Sequence, residues 1–172
     1  SGLQCQPTWV VWRYEPSNTK WTKPPFRARA PRVHASATNS QTWGSLRQAI
    51  DAYQNPSNRL DGIGIVLTGD LVGIDLDHVV TDNDCVDPWA QEILDRFADH
   101  YAERSPSGDG IRIFCRGVVS RCGKGGPSNR LEAYSKDSAR YLTVTGHRLP
   151  NSAQDVSSAQ EALDWLHERF MQ

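Results

Sequence analysis

The chain has 172 residues, of which 38% are hydrophobic and 23% are charged, and its formal net charge is −1. This length suits one domain or two small lobes, and it allows a substantial apolar core without disulfide staples. The apolar runs are too short for a membrane-spanning helix, and the first dozen residues lack the basic and apolar segments of a signal peptide.

Cysteine usage indicates a reducing environment. The four cysteines, at positions 5, 85, 115 and 122, include no CxxC pair, and a disulfide framework is uncommon at this chain length. We therefore expect reduced thiols and a cytoplasmic protein with no membrane partner. Cys115 is expected to be a small core residue.

The net charge near zero conceals a strong pattern along the chain. Residues 1–50 contain seven Lys or Arg against one acid, residues 51–100 contain two against eleven, and residues 101–150 contain nine against four. This alternation suits a protein that binds phosphates and concentrates carboxylates around metal ions. A solvated acidic helix face explains part of the middle segment equally well, so charge alone does not decide the function.

The first half of the chain predicts four elements. Alternating Trp and Val over 8–14 predict a strand, and the proline-rich basic stretch over 15–41 predicts a long loop. Residues 42–54 predict a helix, and residues 62–80 predict two strands joined as a hairpin by Thr68-Gly69-Asp70. The apolar face of that helix is predicted to contain Trp43, Leu46, Ile50 and Tyr53.

The second half predicts a helix followed by strands. Asp87-Pro88 is a good helix start, because Asp caps and Pro fits the first helical position, and the helix is predicted to end near Tyr101. A glycine-broken turn within ERSPSGDGIRIFCRG leads into a strand. Residues 131–135 and 140–145 predict another pair of strands.

Residues 157–170 predict a final amphipathic helix, with Ser157 and Gln160 in capping-box spacing. Strand pairs that alternate with helices indicate an α+β fold with mostly antiparallel pairing.

The segment GIDLDH, residues 73–78, is the first candidate site. Side chains alternate along a strand, so Asp75 and Asp77 share one face while Ile74 and Leu76 occupy the other. Two neighbouring carboxylates repel each other unless a positive charge lies between them, and oxygen ligands favour Mg²⁺ or Mn²⁺. An edge strand with two exposed aspartates is an equally good explanation of this segment alone.

The segment SPSGDGIRI, residues 105–113, is the second candidate. Small residues let the backbone approach a ligand and direct N–H groups at phosphate oxygens. Ile111 and Ile113 are expected to face the core, which leaves Arg112 on the opposite face as an anion contact. An ordinary glycine turn into a strand explains the same letters.

A strand acid is the third candidate. Glu132 lies between Leu131 and Ala133, so it faces away from the side that these apolar residues share. A metal ion shared with the two aspartates would neutralise it, and so would a surface ion pair with Arg130 or Arg140.

Together, the ordered segments WVVWRYE, GIDLDH, SPSGDGIRIF, LEAY and ARYLTVTGH resemble the archaeo-eukaryotic primase superfamily, and most closely the primase-polymerase domains of phages, plasmids and other mobile elements. The resemblance covers roughly residues 8–150. It implies an N-terminal α/β unit over about 1–60, packed on an RRM-like, mostly antiparallel catalytic lobe over about 61–150. A C-terminal helix over 151–172 completes a single catalytic domain.

The resemblance implies roles for residues that match the family motifs. The first motif supplies two metal-binding carboxylates, matched by Asp75 and Asp77, and the third supplies a strand acid, matched by Glu132. The second motif is Ser-Gly-x-Gly-x-His, in which Ser107, Gly108 and Gly110 match. Arg112 stands at the His position; it can bind a triphosphate as a fixed charge but supplies no neutral imidazole.

Further contacts are implied outside the motifs. Arg140 and His147 correspond to nucleotide-side contacts. The basic stretches that would line the template path contribute Lys20, Lys23, Arg27, Arg29, Arg121 and Lys124. Base-stacking candidates are Trp21, Trp43 and Phe26, although such aromatics more often belong to a core.

The implied reaction is template-dependent nucleotidyl transfer by a DNA primase, a DNA polymerase, or both, with two Mg²⁺ or Mn²⁺ ions. Expected partners are a single-stranded DNA template, a primer, and an NTP or dNTP. A helicase or a helical primer-binding domain is expected in cis or in trans.

Two other classes remain open at this point. A non-catalytic nucleic-acid- or nucleotide-binding replication module would explain Arg112 at the His position, although such a module has no need of three acids. A metal-dependent replication-initiator endonuclease also places acids on a sheet, but it usually has a His-x-His pair, and the sequence contains none.

Overall fold

The computed structural model describes residues 2–172. Its helices are α1 (Leu46–Gln54), α2 (Pro88–Arg96) and α3 (Gln160–Phe170). In chain order the strands are β1 (Trp9–Trp12), β2 (Glu15–Ser17), β3 (Lys20–Thr22), β4 (Pro25–Arg27), β5 (Ala30–His34), β6 (Gly62–Val66), β7 (Leu71–Leu76), β8 (Tyr101–Arg104), β9 (Ile111–Arg116), β10 (Gly123–Gly125), β11 (Leu131–Tyr134) and β12 (Tyr141–Val144). The predicted α+β class with antiparallel pairing is confirmed.

The chain divides into two compact units. The first contains the residues up to Leu67 together with Ala139–Val144, and the second contains Thr68–Ser138 together with Thr145–Gln172. Each unit has a five-stranded antiparallel sheet of its own. The prediction that the chain forms one catalytic domain stays a prediction.

The sheet of the first unit has the order β12-β6-β1-β4-β5. The predicted strand is present as β1, the central strand of this sheet, and all four of its residues are buried, as its continuous apolar run WVVW allows. Helix α1 begins after Ser45 because a capping box forms there: the Gln48 amide donates to the Ser45 hydroxyl, and the Ser45 amide donates to the Gln48 side chain. The predicted start at residue 42 is therefore four residues before the observed start at Leu46.

The buried face of α1 differs from the predicted one. Ala49 and Ala52 are its buried residues, whereas Tyr53 is 46% exposed. Small side chains suit this face because the helix packs closely on β1 and β6.

The predicted long loop over 15–41 is wrong. This stretch forms β2 to β5, in which β2 and β3 make a separate two-stranded hairpin and β4 joins the first sheet beside β1. Phe26 of β4 is buried, and the Arg13 guanidinium lies 4.0 Å from the centre of its ring. Such strands of three to five residues are too short to produce a readable alternation of polar and apolar residues.

The sheet of the second unit has the order β10-β11-β7-β9-β8, and all its pairings are antiparallel. One face carries the apolar core, where Ile74 and Leu76 of β7 belong to the same buried cluster as Ile93 of α2 and Leu166 of α3. The opposite face of β7 is therefore left for polar side chains.

The predicted hairpin over 62–80 is wrong, although both of its strands exist. β6 and β7 belong to different sheets, and so do β11 and β12. The turn at Gly69, whose φ is +60°, carries the chain from one sheet to the other. Both neighbours of β6 are distant in sequence, so the turn letters predict a change of direction but not the partner strand.

The other helices are shorter than predicted. α2 ends at Arg96, and Tyr101 begins β8. α3 begins at Gln160 without a capping box, because the Gln160 side chain instead binds both backbone groups of Val118. Among residues 2–172, no helix has the length and apolar character needed to cross a membrane.

The buried thiol of Cys115 gives a test of the second core. Burial raises the pKa of Cys115 to about 12, whereas Cys5 and Cys85 are exposed. Because the thiolate is the reactive form, we expect iodoacetamide at pH 8 to modify Cys5 and Cys85 in the native protein and Cys115 only after unfolding in urea. Peptide mass mapping measures this, and native labelling of Cys115 at the rate of Cys85 would contradict the packing.

Candidate active site

A row of charged side chains crosses the second sheet. Register pairs Lys124 with Glu132, Glu132 with Asp75, Asp75 with Arg112, and Arg112 with Glu103, so that each of the five strands contributes one residue. Residues paired in this way point to the same face, with Cβ atoms about 4.5–5.5 Å apart. We call these five residues the charged row.

Asp75 and Arg112 form the centre of the charged row. The Arg112 guanidinium donates two hydrogen bonds to the Asp75 carboxylate, from Nε over 3.1 Å and from the terminal nitrogen over 3.3 Å. The Arg112 side chain is only 6% exposed, and that of Asp75 is 20% exposed. Desolvation raises the pKa of Asp75, opposed by Arg112 and reinforced by the nearby charges of Asp77 and Glu132.

Glu132 is paired on its outer side. Lys124 Nζ lies 2.8 Å from its Oε1, and this contact raises the pKa of Lys124. Two of the three predicted metal-binding acids thus face each other in adjacent strands, and each is neutralised by a basic residue of the same row.

Asp77 lies just beyond the end of β7, with its side chain 58% exposed. Its amide donates to the carbonyl of Arg130. His78 follows in the left-handed region, with φ of +51°, and its ring lies between two acids: Nδ1 is 2.5 Å from Asp109 Oδ2, and Nε2 is 3.7 Å from Asp77 Oδ2. These contacts, first of all the hydrogen bond with Asp109, raise the pKa of His78.

The loop over 105–110 is a tight turn. The Gly108 amide donates to the Ser105 carbonyl, and the Ser107 hydroxyl donates to the Asp109 carboxylate, which lowers the pKa of Asp109. A Cβ at Gly110 would lie 2.8 Å from the Ser105 hydroxyl and 2.9 Å from the Leu76 carbonyl. Gly110 is therefore required by close packing against β7, whereas Gly108, with φ of +85°, faces open space.

The donor set fits a hard divalent cation in kind. Asp75, Asp77 and Glu132 supply only carboxylate oxygens, and the effect of the other two on the pKa of Asp75 shows that their charges interact. Across residues 2–172, however, no three His, Cys, Asp or Glu side chains converge as they would around a bound ion. Instead, Arg112 forms a salt bridge with Asp75, and Lys124 forms one with Glu132.

The remaining predicted site residues are divided between the two units. His147 and Arg121 lie exposed in the second unit. The first unit contains Lys20, Lys23, Arg27, Arg29 and Arg140. Arg27 Nε donates to the His34 carbonyl, and Arg29 Nε donates to the Gln48 side chain.

Sequence reasoning missed three groups beside the candidate site. Glu103 completes the charged row, although the sequence YAER around it is also typical of an exposed strand. Asp109 is joined to His78 across 31 positions of sequence. Arg130 binds the His78 carbonyl and Asp87. No local sequence pattern predicts these contacts, because each one joins segments that are distant in sequence.

The buried pair predicts a stability difference between two arginines of β9. Arg112→Met would leave Asp75 without its partner, at an expected cost of about 3–5 kcal/mol in free energy of unfolding. Arg116→Met removes an ion pair with the exposed Asp70 and should cost no more than about 1 kcal/mol. Urea unfolding at pH 7 measures both.

The free-energy cost of Arg112→Met is predicted to depend on pH. A carboxyl whose pKa is raised on folding destabilises the fold when it is ionised, so the cost of Arg112→Met should shrink as the pH falls and Asp75 takes up a proton. Equal costs for the two arginine variants would contradict the importance of the pair.

Comparison with known proteins gives one informative relative. No protein-family model matches the chain. Over 145 residues the chain is 34% identical to the DNA primase-polymerase of Nitratiruptor phage NrS-1, a match that covers 80% of this chain and 19% of the phage protein. The chain thus spans about a fifth of the length of that relative. This similarity confirms the resemblance indicated by the ordered motifs: the chain carries a domain of the phage primase-polymerase type.

Proposed function

We propose that this chain is a template-dependent nucleotidyltransferase that joins an incoming NTP or dNTP to a 3′-hydroxyl, acting as a DNA primase, a DNA polymerase, or both. The observation that carries the proposal is the register of β7 and β11, which sets Asp75 directly opposite Glu132 on the polar face of the sheet. The similarity to a phage primase-polymerase supports the same reading.

Asp75, Asp77 and Glu132 would hold Mg²⁺ or Mn²⁺. Bound there, the ions would lower the pKa of the attacking 3′-hydroxyl and neutralise the charge of the triphosphate. For this, the Asp75 and Glu132 side chains must leave Arg112 and Lys124. The Arg112 and Lys124 side chains, released from the acids, would lie beside them on the same face of the sheet. Their positive charges could there bind a triphosphate.

Phosphate binding is assigned to the residues around the loop over 105–110. Ser107 and Gly108 are exposed at its tip, and His147 is exposed after β12. Asp109 brings a negative charge to this loop, and its contacts with Ser107 and His78 offset that charge. The loop would therefore present its backbone and hydroxyl groups to the nucleotide without strong repulsion.

The two-lobed primase-polymerase fold is part of the proposal. In the second unit, the strands of the unit β7-α2-β8-β9 and the later β11 lie in the order β11-β7-β9-β8, which is the order of an RRM-like sheet. We assign this unit to the catalytic lobe and the first unit to the N-terminal lobe.

The β2–β3 hairpin is proposed as a contact for single-stranded DNA. Trp21 is 67% exposed, Lys20 lies beside it, and Lys23 Nζ is within 6 Å of the Trp12 and Tyr14 rings (5.9 Å and 5.8 Å to their centres). An exposed aromatic ring can stack on a base, and lysines of the same segment can bind the phosphates of the strand. The other two stacking candidates are less suited: Phe26 is buried, and Trp43 donates its ring N–H to the Ser36 carbonyl.

A helicase or a helical primer-binding domain, in cis or in trans, is proposed as the partner. In the phage relative, the similar region is only 19% of the protein, so other segments accompany it there.

A non-catalytic binding module is the second candidate, and one observation favours it. The Arg112 guanidinium donates two hydrogen bonds to the carboxylate of Asp75. If that pair does not open, Asp75 is unavailable to a metal ion, and the chain would bind nucleotide or DNA without turnover.

Primer extension with Mg²⁺ or Mn²⁺, with NTPs and dNTPs tested separately, distinguishes the two candidates. Asp77→Asn is the most informative variant, because Asp77 is exposed and its loss should leave the fold intact. We expect it to reduce extension by about 100-fold or more. Asp82→Asn, an exposed aspartate of the same unit, should extend as the wild type does.

Folded wild-type protein that extends no primer under any of these conditions would rule out catalysis by this domain. Nucleotide or DNA binding without extension would then establish the binding module. Circular dichroism confirms the fold of each variant.

Removal of the Trp21 ring tests the DNA contact. We expect Trp21→Ala to weaken binding of a fluorescent oligo-dT by about 5–150-fold, which corresponds to the loss of about 1–3 kcal/mol of stacking, and Trp21→Phe to retain part of the affinity. Tyr53→Ala removes another exposed aromatic of the same unit and serves as the control. Fluorescence anisotropy measures the affinities, and equal losses for Trp21→Ala and Tyr53→Ala would exclude a specific stacking site.

A further inference from the structure

Glu103 is a fully buried acid with a complete set of partners. Its exposure is 0%, and its carboxylate accepts hydrogen bonds from the Tyr101 hydroxyl over 2.8 Å, the Thr145 amide over 2.9 Å and the Gly146 amide over 2.9 Å. Burial, together with Glu103, raises the pKa of Tyr101, so its hydroxyl remains a donor. Burying an acid is costly, and the structure satisfies this one with three donors.

Two of these donors belong to the turn that carries His147. The turn is fastened to β8 at further points, because the Thr145 hydroxyl donates to the Arg104 carbonyl and the Arg104 amide donates to the His147 carbonyl. Of the acceptors that hold this turn to β8, Glu103 supplies a carboxylate and Arg104 supplies a backbone carbonyl, and hydrogen bonds to a charged group are the stronger ones.

Glu103 also lies directly opposite Arg112 in the register of β8 and β9. Asp75 lies opposite Arg112 on its other side, in β7. Arg112 is therefore placed between an acid of β7 and an acid of β8, and its salt bridge is with Asp75. If Asp75 turned to another partner, Glu103 would be the acid that remains opposite Arg112 in the sheet.

The next residue of β8 reaches the phosphate-binding loop. Arg104 donates one hydrogen bond to the Gly108 carbonyl over 3.1 Å. Two adjacent residues of β8 are thus hydrogen-bonded to the turn before His147 and to the loop over 105–110, and one of them, Glu103, lies opposite Arg112 in the sheet. All three are regions to which the proposed function assigns triphosphate contacts.

We propose that Glu103 is a positioning residue for the triphosphate of the incoming nucleotide: it fixes the Thr145–His147 turn, and it is the acid that lies opposite Arg112 on the side away from Asp75. Glu103 itself does not contact the nucleotide or the reacting atoms. The proposal rests on the proposed function, since it needs a nucleotide to bind at this face.

Glu103→Gln is the decisive substitution, because it keeps the shape but removes the charge and replaces one acceptor oxygen by a donor. We expect KM for the nucleotide in primer extension to rise on the order of tenfold, with a smaller change in kcat. The affinity for a fluorescent N-methylanthraniloyl ATP or dATP should fall by a similar factor. Hydrogen exchange at the Thr145 and Gly146 amides should become faster than in the wild type.

Two controls separate positioning from general stability. Leu166→Ala removes a buried side chain of α3 from the apolar core, on the face of the sheet opposite the charged row. It should lower the melting temperature without raising KM. Glu168→Gln changes an exposed glutamate and should alter neither quantity. Tyr101→Phe removes one of the three donors but keeps the charge, so a smaller rise in KM is expected.

The outcomes are distinct. A folded Glu103→Gln variant with wild-type KM and nucleotide affinity overturns the positioning role, and so does a rise in KM that Leu166→Ala reproduces. If Glu103→Gln does not fold, Tyr101→Phe decides, and an unchanged KM in that variant overturns the proposal. A wild type that binds neither nucleotide overturns the proposed function together with this inference, whereas a wild type that binds leaves the proposed function standing.

Discussion

The contact between Asp75 and Arg112 is the interaction on which the polar face of the second sheet depends. Asp75 is partly buried and two other acids lie near it, so its ionised form is tolerable only beside a cation. Antiparallel register supplies that cation from the adjacent strand, and it also places Lys124 beside Glu132 and Arg112 beside Glu103, so each acid of the row has a basic residue on at least one side. The face can thus carry three acids in neighbouring strands and still fold.

The same arrangement explains how an apolar core and a charged site share one sheet. Ile74 and Leu76 are buried against the helices, and the residues between and beyond them point the other way. Period-two alternation therefore does two tasks at once: it fixes the strand in its layer, and it aligns charges across strands. A slip of one residue would exchange the faces and place carboxylates in the core.

Much of the site was predictable from the sequence, and the failures have physical causes. The carboxylates of Asp75 and Glu132 were placed correctly on strands, because alternation is local. The direction of Arg112 was also correct, but its pairing with Asp75 was not predicted, because a partner across strands depends on register. The hairpin predicted over 62–80 was wrong for the same reason: a turn residue such as Gly69 does not indicate which strands pair with each other. Glu103 was missed because the residues around it in the sequence do not show whether a glutamate is buried or exposed.

The glycine at position 110 has a consequence for how such motifs are interpreted. Its missing side chain is required by the Ser105 hydroxyl and the Leu76 carbonyl, which would both collide with a Cβ, and neither group is among the residues proposed for catalysis. A chain that had lost catalysis but kept the sheet would retain this glycine for packing alone. The glycine therefore identifies the fold, while evidence for turnover has to come from the acids.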